Sequence, residues 1–177
     1  MASLYSREKQ LDITAFLTAL SMFFSTLEYL VPKPLPYIRL GLANIPLIAA
    51  LPVLDVPYYL LLIAGKAIGQ AIVNGTLLSY VFLFSIAGSV SSGTLMLLVS
   101  RIAKKHISPI GISTLGAFVS NSVQLSLSVL YIFGTSAIVI APVFLGIGTV
   151  SGFTVGLICL LYFKKSQWYK KLIGGKL

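Results

Sequence analysis

The chain has 177 residues, of which 57% are hydrophobic and 10% are charged, and its formal net charge is +9. A mean hydropathy of +0.97 leaves too few polar residues to cover a water-soluble domain of this length. The single cysteine, Cys159, excludes an internal disulfide, and no hydrophilic stretch is long enough to form a soluble catalytic module. We therefore expect one all-α membrane domain over residues 1–177.

Six apolar stretches are candidates to cross the roughly 30 Å of bilayer hydrocarbon. The second stretch is short: Gly41 and Asn44 open it, and Pro46 and Pro52 interrupt it. We expect this stretch to be kinked or partly re-entrant, which is tolerated where protein or a cavity covers the freed backbone groups. In chain order, the predicted spans are Leu11–Val31, Gly41–Leu54, Val56–Asn74, Leu77–Ala103, Ile110–Phe133 and Ser136–Phe163.

Basic residues orient these six spans. Ten of the thirteen Lys and Arg residues fall before span one, at or just after the end of span four, or after span six, and the turns after spans three and five carry no charge. Because cytoplasmic loops are enriched in Lys and Arg, both termini are predicted to be cytoplasmic. The positive charge then needs no nucleic acid to explain it, and Trp168 and Tyr169 in the basic tail are typical of an interfacial anchor.

Polar side chains inside the predicted spans are the candidate binding residues, because the bilayer makes them costly. Lys66 lies in the middle of span three, where a charge without a cavity or partner costs about 3 kcal/mol. Gln70 and Asn74 follow at i+4 and i+8, so the three side chains share one helix face. The alternative is that Lys66 pairs with Glu28, near the outer end of span one, for stability alone.

Span five carries a second polar stripe, in which Asn121 and Gln124 lie beside Ser120. Interhelical hydrogen bonding alone would also account for this stripe, so the sequence leaves packing and binding open. If both stripes serve binding, they face each other in the outer half of the bundle. The Pro-rich segment 32–39, which ends in Arg39, is expected to cover that site as a lid.

Small residues spaced four apart predict close helix contacts, with a GxxxG step in span three (Gly65 and Gly69) and a GxxxGxxxG run in span six (Gly148, Gly152 and Gly156). The sequence contains no GxxxxGK[ST] loop and no Asp-rich motif. We therefore expect that the chain is not an enzyme, does not hydrolyse ATP alone, and has no metal site or cofactor.

Several motifs together resemble a known family. They are Glu28-x-x-x-Pro32, the run Ile38-Arg39-Leu40-Gly41-Leu42-Ala43-Asn44-Ile45, Tyr80-x-x-x-x-Ser85-x-Ala87-Gly88, Ile112-Ser113-x-x-Gly116-Ala117 and Asn121-x-x-Gln124. Over roughly residues 11–163 the chain resembles the Gx transporter family, also labelled heptaprenyl diphosphate synthase component I, among the substrate-binding S components of energy-coupling factor (ECF) transporters. Two positions depart from the expected pattern: Ser120 stands in place of His, and Lys66 in place of Arg. The substrate can therefore differ from that of the wider family.

The resemblance implies an S-component bundle of six helices with cytoplasmic termini in a prokaryotic cell membrane. Together with the polar stripes it gives a candidate site for a small anionic or zwitterionic substrate. The candidate residues are Glu28, Arg39, Asn44, Lys66, Gln70, Asn74, Asn121 and Gln124. The resemblance also assigns Ala15 and Ala19, on span one, to docking of the transmembrane T subunit, with two ATPase subunits supplying the energy.

The family label itself offers an alternative function, a membrane accessory subunit of a prenyl diphosphate synthase. Without an Asp-rich motif the chain could only assist that reaction. A self-sufficient secondary transporter or channel is disfavoured, because the six short spans contain no clear inverted repeat.

Overall fold

The structure is a computed structural model that describes residues 5–30, 41–103 and 106–174. This part of the chain is helical and contains no strand, which confirms the predicted all-α class. The helices are α1 (Arg7–Leu30), α2 (Ile45–Ala50), α3 (Val56–Val73), α4 (Tyr80–Ala103), α5 (Pro109–Ser128), α6 (Ala137–Lys165) and α7 (Gln167–Leu172). A 3-10 turn over Leu42–Asn44 precedes α2, and a π-helical turn over Val129–Phe133 extends α5.

Five of the described helices are long and apolar enough to cross a membrane, namely α1, α3, α4, α5 with its π-helical turn, and α6. Their outward faces carry large apolar side chains, such as Ile102 and Val139, which are 74% and 82% exposed. An apolar exterior is what a helix needs on its lipid-facing side. The chain is therefore organised as a polytopic helical membrane protein.

The second predicted span, Gly41–Leu54, is not a continuous transmembrane helix. Only the six residues of α2 are α-helical, and six residues rise about 9 Å, far less than the hydrocarbon thickness. Gly41 adopts φ 75° ahead of the 3-10 turn, and Pro46 occupies the first turn of α2. The helix ends at Ala50, two residues ahead of Pro52, which has no amide hydrogen to continue the helical hydrogen bonds. The prediction that this stretch is interrupted, rather than one continuous helix, is therefore confirmed.

Residues 41–55, which we call the broken segment, nevertheless contact both ends of α1. At one end, the Leu42 amide donates to Glu28 Oε2 at 3.1 Å. At the other end, Gln10 Nε2 donates to Asp55 Oδ2 at 2.9 Å and the Asp55 amide donates to Gln10 Oε1 at 3.1 Å. Tyr5 Oη also donates to the Leu172 carbonyl at 2.6 Å, so α7 and the start of α1 lie at the same end of the bundle.

Glycines bring the long helices into close contact. A Cβ on Gly65 or Gly69 would lie 2.8 Å from Thr18 or 2.0 Å from Met22, so α3 packs directly on α1. On α6, a Cβ on Gly152 would lie 2.5 Å from Ala117 and one on Gly156 would lie 2.5 Å from Ile110, both on α5. The predicted close contacts are confirmed, because a larger residue at these positions would force the helices apart.

Candidate functional site

The buried face of α3 changes character halfway along the helix. Near the start of α3, the side chains of Tyr59, Leu62 and Ile63 are at most 2% exposed and belong to the apolar core. Further along the same face, Lys66 and Gln70 are 5% and 6% exposed. A buried ammonium group needs a polar cavity or a partner, so the second half of α3 marks the candidate site.

Lys66 is held by the broken segment. Its Nζ donates a hydrogen bond to Asn44 Oδ1, and Asn44 closes the 3-10 turn that begins after Gly41. The same turn receives the Glu28 carboxylate, which is 2% exposed and accepts from the Leu42 amide. An anion is favourable there because the first amides of a helical turn have no partner within it. The broken segment thereby brings one cation and one anion to the same place.

Gln70 presents an unused acceptor. Its Oε1 atom is buried and has no hydrogen-bond partner among the described residues. Buried polar atoms are rarely left unpaired, and each exception needs an explanation such as a water or a ligand. The Gln70 carbonyl is therefore available to a donor on a bound molecule.

α5 and α6 supply the opposite wall. Asn121 is 7% exposed, and its Nδ2 atom would lie 1.6 Å from a Cβ on Gly148, so the nitrogen end of the amide packs directly against that glycine. The cavity between these walls has a volume of about 40 Å³, enough for a few water molecules. Its lining residues are Glu28, Gly41, Ala43, Asn44, Lys66, Gln70, Ser89, Ser113, Ala117, Ser120, Asn121, Gly148, Gly152 and Val155. We call this space the polar cavity.

The structure brings five of the eight predicted site residues to the polar cavity, namely Glu28, Asn44, Lys66, Gln70 and Asn121. Asn74 does not line it, because it lies eight residues beyond Lys66, about 12 Å further along the helix axis. Gln124 lines a different cavity, because three residues beyond Asn121 is a rotation of about 60° around the helix. Arg39 and the predicted lid lie outside the described residues. The binding role of all eight remains a prediction.

Sequence reasoning did not include several wall residues. Ser89 and Ser113 are buried and line the polar cavity, and their hydroxyls were indistinguishable from the many packing serines of a membrane helix. Gly148 and Gly152 were predicted only as packing residues, yet their missing side chains leave the space that the cavity occupies. The proximity of Asn121 to Gly148 on a neighbouring helix was not visible in either helix alone.

Comparison with protein families decides the relationship. A family described as heptaprenyl diphosphate synthase component I matches residues 17–161. The chain belongs to this family. No curated protein and no solved structure matches it significantly.

Two positions, Lys66 and Ser120, depart from the pattern expected for the heptaprenyl diphosphate synthase component I family. Lys66 and Ser120 both line the polar cavity, so each departure from the expected family pattern changes a cavity wall. Ala15 and Ala19 lie elsewhere, on the exposed face of α1. Phe16 and Phe23 are also exposed, at 53% and 55%. This face of α1 is therefore open to lipid or to another membrane protein.

Proposed function

We propose that the chain is the substrate-binding S component of an ECF-type importer, and that it captures a small anionic or zwitterionic molecule in the polar cavity. The observation that carries the proposal is the convergence of Lys66, Glu28 and three amide side chains on one cavity within a bundle of membrane helices. Lys66 would attract an anionic group, and Glu28 would receive a cationic one or balance the charge.

The distribution of charge supports an outward-facing site. The polar cavity lies toward the end of α1 that carries Glu28, and the basic ends of α1, α4 and α6 lie at the opposite end, with Arg7, Arg101, Lys164 and Lys165. By the positive-inside rule, that basic end is cytoplasmic and the cavity faces outward in a prokaryotic cell membrane.

Partner proteins would supply the energy. The sequence has no phosphate-binding loop, so ATP hydrolysis would come from two ATPase subunits joined through a T subunit. The exposed face of α1 that includes Ala15 and Ala19 is the proposed docking surface, because small side chains let another helix approach closely. The chain itself would hold no cofactor and carry out no reaction.

The family description favours a second candidate, a membrane accessory subunit of a prenyl diphosphate synthase. In that case the chain would assist a separate catalytic subunit, and the polar cavity would be incidental to the function or would bind a ligand for that enzyme.

Affinity purification from membranes of cells that make the tagged chain separates the two candidates. We expect ECF T and ATPase subunits to copurify; recovery of a soluble prenyl synthase without them would favour the second candidate. Ala15→Trp and Ala19→Trp should abolish recovery of the T subunit. Ala64→Trp, at an exposed alanine of α3, is the matched control and should leave recovery unchanged. If all three variants recover the T subunit equally, the proposed docking surface is wrong.

A further inference from the structure

A second, larger cavity lies between α4, α5 and α6, beside the polar cavity. Its volume is about 240 Å³. Its walls are mostly apolar, and they carry four aromatic side chains, Tyr80, Phe84, Phe133 and Phe144. We call this space the apolar cavity. An apolar cavity with a few placed polar groups is typical of a site for the hydrophobic part of a small molecule.

One hydrogen bond separates the two cavities. Gln124 lines the apolar cavity, Ser120 lines the polar cavity, and Gln124 Nε2 donates to Ser120 Oγ at 3.0 Å. Across from this pair lies Gly88 of α4, where a Cβ would be only 2.8 Å from both atoms. The partition is thus two flexible side chains against a bare stretch of backbone. A rotamer change of the half-buried Gln124 side chain would join the two spaces.

The polar cavity alone holds only a group of a few heavy atoms, since its volume is about 40 Å³. It offers Lys66 as a donor and Gln70 Oε1 as an acceptor without a partner among the described residues. A bound group that contacts both Lys66 and Gln70 Oε1 must itself contain an acceptor and a donor. The remainder of any larger molecule must lie elsewhere, and the apolar cavity is the adjoining space.

From this arrangement we infer that the substrate is amphipathic. Its compact polar end, which both accepts and donates hydrogen bonds, occupies the polar cavity, and an aromatic or branched aliphatic part extends past Ser120 and Gln124 into the apolar cavity. This inference rests on the proposed function, and it specifies the substrate class. It makes Leu125, on the wall of the apolar cavity, a residue that determines specificity without contacting the polar end.

Affinity-selection mass spectrometry with yeast extract as the probe tests this inference. The purified chain is incubated with the extract, washed, and its retained small molecules are identified. Leu125→Trp fills the apolar cavity, and Leu115→Trp is the matched control, because Leu115 is on the same helix, is 43% exposed and lines neither cavity. Lys66→Met tests whether retention of a compound depends on the polar cavity.

We expect retained compounds that combine a polar end with an aromatic or branched group. Their retention should fall at least about tenfold in both Lys66→Met and Leu125→Trp, equivalent to about 1.4 kcal/mol, and stay unchanged in Leu115→Trp. Retention of small, wholly polar compounds that depends on Lys66 but not on Leu125 would overturn the inference and leave the proposed function standing. A phospholipid that depends on Leu125 but not on Lys66 would make the apolar cavity a lipid site and also overturn it. If no compound depends on Lys66, the proposed function fails as well.

Discussion

The two halves of α3 bury the same face of one helix in opposite environments. Around Tyr59, Leu62 and Ile63 the neighbours are apolar, and α2 fills the space between the helices with fully buried residues such as Leu47. Around Lys66 and Gln70 the neighbours are amides, hydroxyls and a carboxylate. One half is packed for stability, and the other half retains polar groups that a stable core would exclude.

The apolar half of α3 closes the bundle at one end. The apolar half lies at the end where Gln10 meets Asp55 and where Tyr5 meets Leu172, and it separates the polar cavity from that end. A path for a polar molecule through it would require many buried apolar contacts to open at once. Under the proposed function, a molecule held in the polar cavity could therefore pass this end only after a larger rearrangement of the helices.

Truncating the apolar half should cause the largest loss of stability. Leu62→Ala removes a fully buried side chain and should lower the free energy of unfolding by about 2 to 5 kcal/mol. Leu61→Ala is the control, because Leu61 is 51% exposed and its loss should cost less than about 0.5 kcal/mol. Unfolding can be followed by the reaction of a fluorogenic maleimide with Cys159, which is fully buried. Equal effects of the two variants would mean that this half of the bundle is not a closely packed core.

Neutralising the polar half should affect binding more than folding. Lys66→Met should weaken retention of the Lys66-dependent compounds by about 2 kcal/mol, roughly 30-fold. Stability should change less, because loss of the hydrogen bond from Lys66 to Asn44 is offset by removal of a buried charge that is costly to the fold. Ile68→Met, at a 46% exposed position of the same helix, should alter neither property. Normal binding together with easier unfolding would identify Lys66 as a structural partner of Glu28.

Adding a methyl group to the cavity wall should affect both properties moderately. Gly148→Ala would place a Cβ 1.6 Å from Asn121 Nδ2, so the amide must shift, at a cost of about 1 to 3 kcal/mol in stability. Retention of the Lys66-dependent compounds should fall with it. Gly146→Ala is the matched control on the same helix, because its Cβ would meet no atom within 4 Å. If Gly148→Ala behaves like Gly146→Ala, Asn121 is not fixed against α6.

Gln70→Met should have the smallest effect on stability, and it separates a binding role of Gln70 from a structural one. Gln70→Met removes a buried acceptor that has no partner among the described residues, so unfolding free energy should stay constant or rise by up to about 1 kcal/mol while binding weakens. Gln10→Met, in contrast, removes the two hydrogen bonds to Asp55 and should destabilise by about 1 to 3 kcal/mol. Destabilisation by Gln70→Met would show that its amide serves the fold.

Local patterns in the sequence predicted the long helices and much of the polar face. Lys66 and Gln70 share a face because four residues complete about one helical turn, and their burial confirms that this face points inward. The Asn74 amide still donates to the Gln70 carbonyl, but Asn74 lies about 12 Å beyond Lys66 along the axis and does not line the polar cavity. A shared helix face therefore does not by itself place residues at the same depth.

Contacts between distant segments could not be predicted in this way. The hydrogen bond from Lys66 to Asn44 depends on how residues 41–54 fold back between the helices, and their two prolines predicted a break without fixing its path. Gln124 lines the apolar cavity, and its side chain also packs against Gly88 on a neighbouring helix; neither contact is visible in the sequence of span five alone. Tertiary packing determined both outcomes.

Uptake into liposomes tests the central claim most directly. The chain is reconstituted alone and with the proposed ECF partners, with ATP available to the ATPase subunits, and it is supplied with a compound whose retention depends on Lys66. Accumulation should require the partners and ATP, because the apolar half of the bundle closes the way inward. It should be lost in Lys66→Met, because the compound is retained through Lys66. Concentrative, ATP-independent accumulation by the chain alone would contradict the account.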